Sequence, residues 1–388
     1  MISERLRQLR QARGLTLEAL AQQLGAISKQ ALSKYEQGTT TPAPQMIARL
    51  AAALGVPATE LLRVPEAQVG FIAYRRRAAL GKRAQEQIEG VIAEQIQHRV
   101  RLQRAVGDPG AHDLPIQLLP AETPAAIEAA ADEIRARWRL GSAPIASVTE
   151  TLEAHGVHVI ALDADAAFDG IAAVARDAED RVLAATVVSR RGVPGERQRL
   201  NLAHELGHLV LQPAEDTDAE STAFRFAGAL LAPAAVVREH VGARRISVSL
   251  DELLLLKPLF GMSVQALLRR LRDLDIISSH AYEHGCRQVN RRGWRLHEPG
   301  ELAAEQPAWL QRTGLRAVSE GLLSAAEVTR LGVVDVPASA PSARRALLRL
   351  PTAARAPLLA QQAAQQQSLY AEEAAERAVW QVDSGGDD

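Results

Sequence analysis

The sequence predicts a multidomain chain: an all-α domain at the N-terminus, then an α+β domain organised around one helix with polar residues in an apolar run, then a helical C-terminal extension. Three observations predict it. Residues 4–62 are a series of short amphipathic segments separated by cap and turn residues. An HExxH pattern, His204-Glu205-Leu206-Gly207-His208, sits inside the apolar run LNLAHELGHLVL. Strand-like runs at 157–160, 170–175 and 182–188 precede that helix. A chain of 388 residues with 47% hydrophobic content has room for two or three cored domains, and with 3% aromatics those cores must be built mainly from Leu, Val, Ile and Ala.

The net charge of -1 conceals an uneven distribution, because residues 1–110 hold 16 Lys or Arg against 9 Asp or Glu. A basic front end on a neutral chain points to a local polyanion-binding module. The single cysteine, Cys286, excludes an internal disulfide and a multi-cysteine zinc site, which fits a reducing compartment. Neither a signal peptide nor an apolar run of membrane-spanning length is seen, so a cytoplasmic protein without membrane partners is expected.

In the N-terminal segment, Leu6 and Leu9 mark a first helix, Thr16 caps a second and Ser28 a third, whose polar residues are Lys29, Gln30, Ser33 and Lys34. Helices are expected again at 45–54 and 58–62, after turns at Pro42 and Pro57. The phrases LTLEALAQQLG, SKQALSKYEQG and PQMIARLAAALG resemble an Xre-type helix-turn-helix domain of the lambda-repressor class. That resemblance implies that the third helix enters the major groove of a double-stranded operator with Lys29, Gln30, Ser33 and Lys34, and that Glu36 is structural. The turn Gly25-Ala26-Ile27-Ser28 is one residue longer than the common pattern, so the approach of that helix is expected to shift. Domains of this type are often dimeric, and a homodimer on a palindromic operator is expected.

Residues 66–106 carry a basic run from Arg75 to Arg77 and apolar positions 88, 91, 92, 96 and 100 at helical spacing, and read as a long amphipathic connector. After the Gly107–Gly110 break, helices are expected at 127–138 and 148–155, with His155 and His158 in packing or surface roles. On the HExxH helix, His204 and His208 share a face and can bind one metal, while Glu205 can deprotonate a water. Neutral imidazole and carboxylate suit Zn²⁺. A third ligand is expected among the acids just beyond, with Glu220, Glu215, Asp216 and Asp218 as candidates.

The phrases FDGIAAV, RQRLNLAHELGHLVL and ESTAFRFAGALLAP resemble the ImmA/IrrE family of metallopeptidases over about residues 120–320. The resemblance implies a zincin-like fold, and its E-x-x-A-x-x-F-A pattern places the third ligand on Glu220. Asn201 departs from the threonine or serine often found before the motif. The stretch SVQALLRRLRDL, capped by Ser263, resembles the packing helix behind the site, which gives Arg269, Arg270 and Arg272 no DNA-reading role. The oxyanion partner is unassigned, with His280, Tyr282 and Arg197 as weak candidates.

The expected organisation is a helix-turn-helix domain over 1–65, a helical connector over 66–119, a metallopeptidase domain over 120–300 and a helical accessory region over 301–388, with helices at 344–376 and an acidic disordered tail at 384–388. The resemblance implies a stress-response-type regulator and zinc metalloendopeptidase that cleaves a regulatory protein such as a repressor. Its competitor is a transcriptional regulator whose metallopeptidase-like domain is a sensory or structural module with little turnover.

Overall fold

The computed structural model describes residues 2–25, 27–76, 81–110, 114–295, 297–336, 355–357 and 360. Arg77, Ala26 of the helix-turn-helix turn and the tail at 384–388 lie outside these residues, as does the segment 344–376 except at 355–357 and 360. The chain divides into two compact units, Met1–Thr313 and Gly314–Asp388.

The first unit begins with five helices, α1 (Ile2–Ala12), α2 (Leu17–Leu24), α3 (Lys29–Glu36), α4 (Pro44–Ala53) and α5 (Ala58–Leu61). Their apolar stripes meet in a core of Leu6, Leu9, Leu20, Leu32, Leu50 and Leu61. Thr16 Oγ1 accepts from Ala19 N at 3.0 Å and Ser28 Oγ from Ala31 N at 3.2 Å, so both expected caps form, each contributing about 1 kcal/mol. Between them Gly25 closes α2 at φ 64°, a left-handed conformation natural to glycine. Glu36 pairs with Arg10 at 2.6 Å, in the structural role expected of it.

The chain continues through β1 (Gln68–Arg76), α6 (Lys82–Ala105), β2 (Leu119–Pro120), α7 (Pro124–Arg137), α8 (Val148–Ala154), β3 (Val157–Leu162), β4 (Phe168–Arg176), β5 (Val182–Arg190), α9 (Gly195–Val210), β6 (Leu211–Gln212) and α10 (Ala219–Leu231). Helices α11 (Ala234–Val241), α12 (Leu250–Phe260), α13 (Val264–Asp273) and α14 (Ser279–Arg291) follow. A mixed sheet runs β1-β4-β5-β3, with β4 antiparallel to both neighbours and β3 parallel to β5, while β2 and β6 form a short parallel pair.

Alternation along β4 decides the layers. Ala172 and Val174 face the core that contains α7, α8, α9 and α10, whereas Ile171, Ala173 and Ala175 face Ile88, Ile92, Ile96 and Val100 of α6. Both faces of the sheet are thus covered, which is why its strands are almost continuously apolar. Truncating Ile92 or Ile96, each fully buried, to Ala would cost about 2–5 kcal/mol.

The segment read as a connector is therefore built into the sheet layers: 68–76 is a strand, and only 82–105 is helix. The opposite side of α6 receives the N-terminal helices. Gly90 passes so close to the Ala12 backbone that no side chain fits there, Arg13 pairs with Glu94 at 2.7 Å, and Arg83 donates to Gly14 O at 2.7 Å.

A second departure lies at 301–308, expected to be helical but observed as a non-helical strap. Gly195 N donates to Leu302 O at 2.8 Å, and Gln198 exchanges two hydrogen bonds with the Glu305 backbone at 2.7 and 2.8 Å. The Glu305 carboxylate accepts from Val148 N and Thr149 N at the start of α8 and pairs with Arg199 of α9. Burial raises its pKa, but these donors outweigh burial and hold the carboxyl below its ordinary value. Helix propensity yields here to long-range contacts that satisfy a helix terminus.

Helix α15 (Trp309–Ser319) crosses the boundary at Thr313, and α16 (Ala325–Arg330) lies in the second unit. There Ser324 and Glu327 form a capping box, and Val328, Leu331 and Val333 are buried.

Candidate metal centre and DNA-facing helix

Helix α9 crosses the sheet with only Arg197, Leu200 and His208 short of full burial. These positions and His204 share the face that opens toward α10. Gly207 lies on the side that meets α10, where an added Cβ would stand 3.1 Å from the Phe226 ring and 3.2 Å from Ala223. The glycine between Leu206 and His208 thus sets how closely the two helices approach. Asp218 caps α10, accepting from Glu220 N at 3.2 Å and Ser221 Oγ at 2.7 Å, and so fixes the first turn that carries Glu220.

The three expected ligands converge. His204 Nε2 and His208 Nε2 are 3.0 Å apart, Glu220 Oε2 is 3.3 Å from the first and Oε1 3.2 Å from the second. Two imidazole nitrogens and a carboxylate gathered at one point make a donor set that could hold a metal ion. Donors at the 2.0–2.1 Å bond length of a tetrahedral zinc stand about 3.3 Å from one another, so the spacing fits such an ion. Among the described residues, His204, His208 and Glu220 form the group of this kind, and Glu215, Asp216 and Asp218 are not part of it. Hydrogen bonds from His204 and then His208 hold the Glu220 carboxyl well below the ordinary range, keeping it anionic.

Glu205 is 1% exposed and points to β4, where a side chain on Gly170 would run into its carboxylate. The Glu205 side chain of α9 can lie this close to the β4 backbone because residue 170 lacks a Cβ. Asp169 next door is held by Arg197 Nη2 at 2.7 Å. The Phe224 ring lies 4.2 Å from the His204 ring, centroid to centroid, and borders a cavity of about 280 Å³ with Leu200, Gly228, Met262, Ala266 and Tyr282.

Sequence reasoning missed Gly170, Gly207 and Phe224. The glycine within FDGIAAV, in an otherwise apolar strand, was the available signal for the first. Of the weak oxyanion candidates, Arg197 is engaged by Asp169, Tyr282 lines the cavity and His280 is exposed on α14.

His155 stacks on Trp138 at 4.6 Å, and His158 is buried with Nε2 3.1 Å from Gln103 Oε1, so both are packing residues. Arg270 is 1% exposed and grips both oxygens of Glu128 at 2.7 Å, consistent with a packing role for α13. In the N-terminal domain, Lys29, Gln30 and Lys34 stand exposed on one face of α3, and Ser33 is partly exposed beside them.

Residues 6–61 match the family described as helix-turn-helix, and residues 152–272 match the family described as IrrE N-terminal-like domain, a metallopeptidase family. No curated protein and no solved structure matches the chain. Among the described residues no helix is long and apolar enough to cross a membrane. The chain thus joins an Xre-like helix-turn-helix domain at its N-terminus to an IrrE-like, metallopeptidase-family domain.

Proposed function

We propose that this protein is a DNA-binding transcriptional regulator that cleaves a regulatory protein, such as a repressor, with a zinc-dependent peptidase centre. The observation that carries this reading is the meeting of two imidazole nitrogens and a carboxylate within 3.3 Å, with a buried glutamate next in sequence to the first histidine. His204, His208 and Glu220 would hold the ion. A zinc ion bound there supplies Lewis-acid chemistry, lowering the pKa of water and polarising a scissile carbonyl.

Glu205 is the proton carrier. Its carboxylate takes a proton from the attacking water and returns it to the leaving amine nitrogen as the C–N bond breaks. The close packing of Glu205 against Gly170 holds that carboxylate in place between the two transfers. Lys29, Gln30, Ser33 and Lys34 would deliver the protein to its operator, with a homodimer expected on a palindromic site.

The test compares wild type with Glu205→Gln in the native cell and in vitro. The variant is expected to keep one equivalent of zinc and the same fold, and to lose cleavage of the cognate partner by a factor on the order of 10³ or more. A fragment found by proteomics only with wild type identifies the substrate. Equal turnover by the two proteins removes Glu205 from the mechanism.

A further inference from the structure

β1 comes from the segment between the two family-matched regions, yet it completes the sheet beside the metal centre. β3, β4, β5 and α9 all lie within residues 152–272, and β1 does not. Without β1, β4 would be the exposed edge of the sheet.

The register of the pairing brings β1 to the chemistry. Gln68 opposes Arg176 at one end and Arg76 opposes Phe168 at the other, with Arg75 opposite Gly170 just before it. Gly170 is the residue whose missing side chain makes room for the Glu205 carboxylate, and β1 also approaches α9. The last residues of β1 therefore run antiparallel along the stretch of β4 nearest the proposed proton carrier.

An unpaired strand edge binds extended peptides through its backbone groups, with little dependence on sequence. A peptide paired to this edge of β4 would run past Gly170 and the neighbouring Glu205 carboxylate. We propose that the β1-facing edge of β4 is the docking edge for an extended peptide substrate, and that β1 is its intramolecular occupant, which must separate from β4 before a substrate enters. This rests on the peptidase reading above.

Three features suit β1 to release. It is hydrogen-bonded to the sheet on one side only, and the pairing is interrupted between Phe71 and Ala73 and again between Arg75 and Arg76. It contains Gly70, which adds no side-chain packing. Its N-terminal end is pinned to α6, because Gln97 accepts from Glu66 N at 2.8 Å and donates to Ala67 O at 2.6 Å. Separation therefore starts from the end beside Glu205, and α6, which anchors the other end, also carries the helix-turn-helix domain.

The test uses the full chain and separates docking from turnover. In a Glu205→Gln background, Val69→Asp with Phe71→Asp weakens the partly buried contacts of β1 against the core beneath α6. The probe is a fluorescent peptide of residues 68–76. The weakened protein is expected to bind it at least tenfold more tightly than the parent, with faster hydrogen exchange over 168–176 that slows again when the peptide is added.

A lock provides the opposite arm: Phe71→Cys with Ala173→Cys, which are directly opposed in the register, in a Cys286→Ser background with Glu205 retained. The oxidised protein is expected to bind no peptide and to cleave no partner, with both restored by reduction. Equal binding by the oxidised and reduced lock overturns the proposal, as does a weakened variant that keeps its fold by circular dichroism but shows no gain in binding. Strand exchange as expected, with no cleavage by any Glu205-containing form, supports the docking edge and removes the peptidase reading alone.

Discussion

In α3 the single buried residue is Leu32, and Lys29, Gln30 and Lys34 stand in solvent; in α9 the residues proposed for the metal centre are themselves interior, with His204 at 0% and Glu205 at 1% exposure. The core of the N-terminal domain does not include the α3 side chains proposed to face DNA. The peptidase-like domain has to accommodate two imidazoles and a carboxylate where an apolar helix face would otherwise pack, a desolvation that costs several kcal/mol unless partners satisfy them. Substitutions in the first region should separate binding from stability, and substitutions in the second should couple them.

The largest expected effect comes from the metal. An ion bound by His204 and His208 on α9 and Glu220 on α10 links two helices of one core, so it stabilises the folded chain by about 4 kcal/mol when free zinc is a thousandfold above its Kd. Adding a chelator is therefore expected to lower Tm while operator affinity, measured at fixed salt, stays constant. His204→Ala is expected to abolish zinc binding and the chelator-sensitive shift in Tm. A variant that retains full zinc content would remove His204 from the ligand set.

An intermediate effect is expected from the exposed helix. Replacing Gln30 and Lys34 together by Ala should weaken operator binding by about 1–3 kcal/mol per lost contact and lower the salt dependence, the result expected of a lysine proposed to meet a phosphate. Unfolding free energy should change by no more than is typical of surface substitutions, about 0.5 kcal/mol, so Tm should move little. A large fall in Tm would show that α3 is less independent of its surface than its burial implies.

The sequence carried the local part of this comparison. Caps at Thr16, Ser28 and Ser263 are set by residues three apart, and the strands at 157–160, 170–175 and 182–188 were readable from apolar runs, each observed to be longer by two or three residues. HExxH is likewise a local pattern, and the choice of Glu220 among four nearby acids came from the family resemblance. What was illegible depends on distant partners. Residues 68–76 sit in a basic stretch with no strong strand signal, and they pair with residues a hundred positions away. Glu305 reads as a helix former, yet its carboxylate is engaged by Val148, Thr149 and Arg199. Gly170 and Gly207 matter through the space they leave for Glu205 and for α10, a property of three-dimensional approach that composition does not record.

The smallest effect tests whether interior burial alone makes a histidine functional. His158 on β3 is 3% exposed, lies edge-on to Trp309 at 4.3 Å and has Nε2 3.1 Å from Gln103 Oε1, so in its neutral form it donates to that amide. Burial, aided by the nearby Arg99 charge, pushes its pKa down to about 3. An unfolded histidine titrates near about 6.5, so the unfolded chain takes up a proton that the folded chain refuses as pH falls below that value. The stability that neutral His158 provides is therefore complete above about pH 6.5 and is lost toward pH 3, by up to about 1.4 kcal/mol per pH unit. Urea unfolding of wild type and His158→Gln at pH 7, 6 and 5 is expected to show a steeper loss in wild type, with zinc content and operator affinity the same in both. Parallel pH profiles would mean that His158 is protonated in the fold; a loss of zinc would mean that this histidine, too, serves the metal centre.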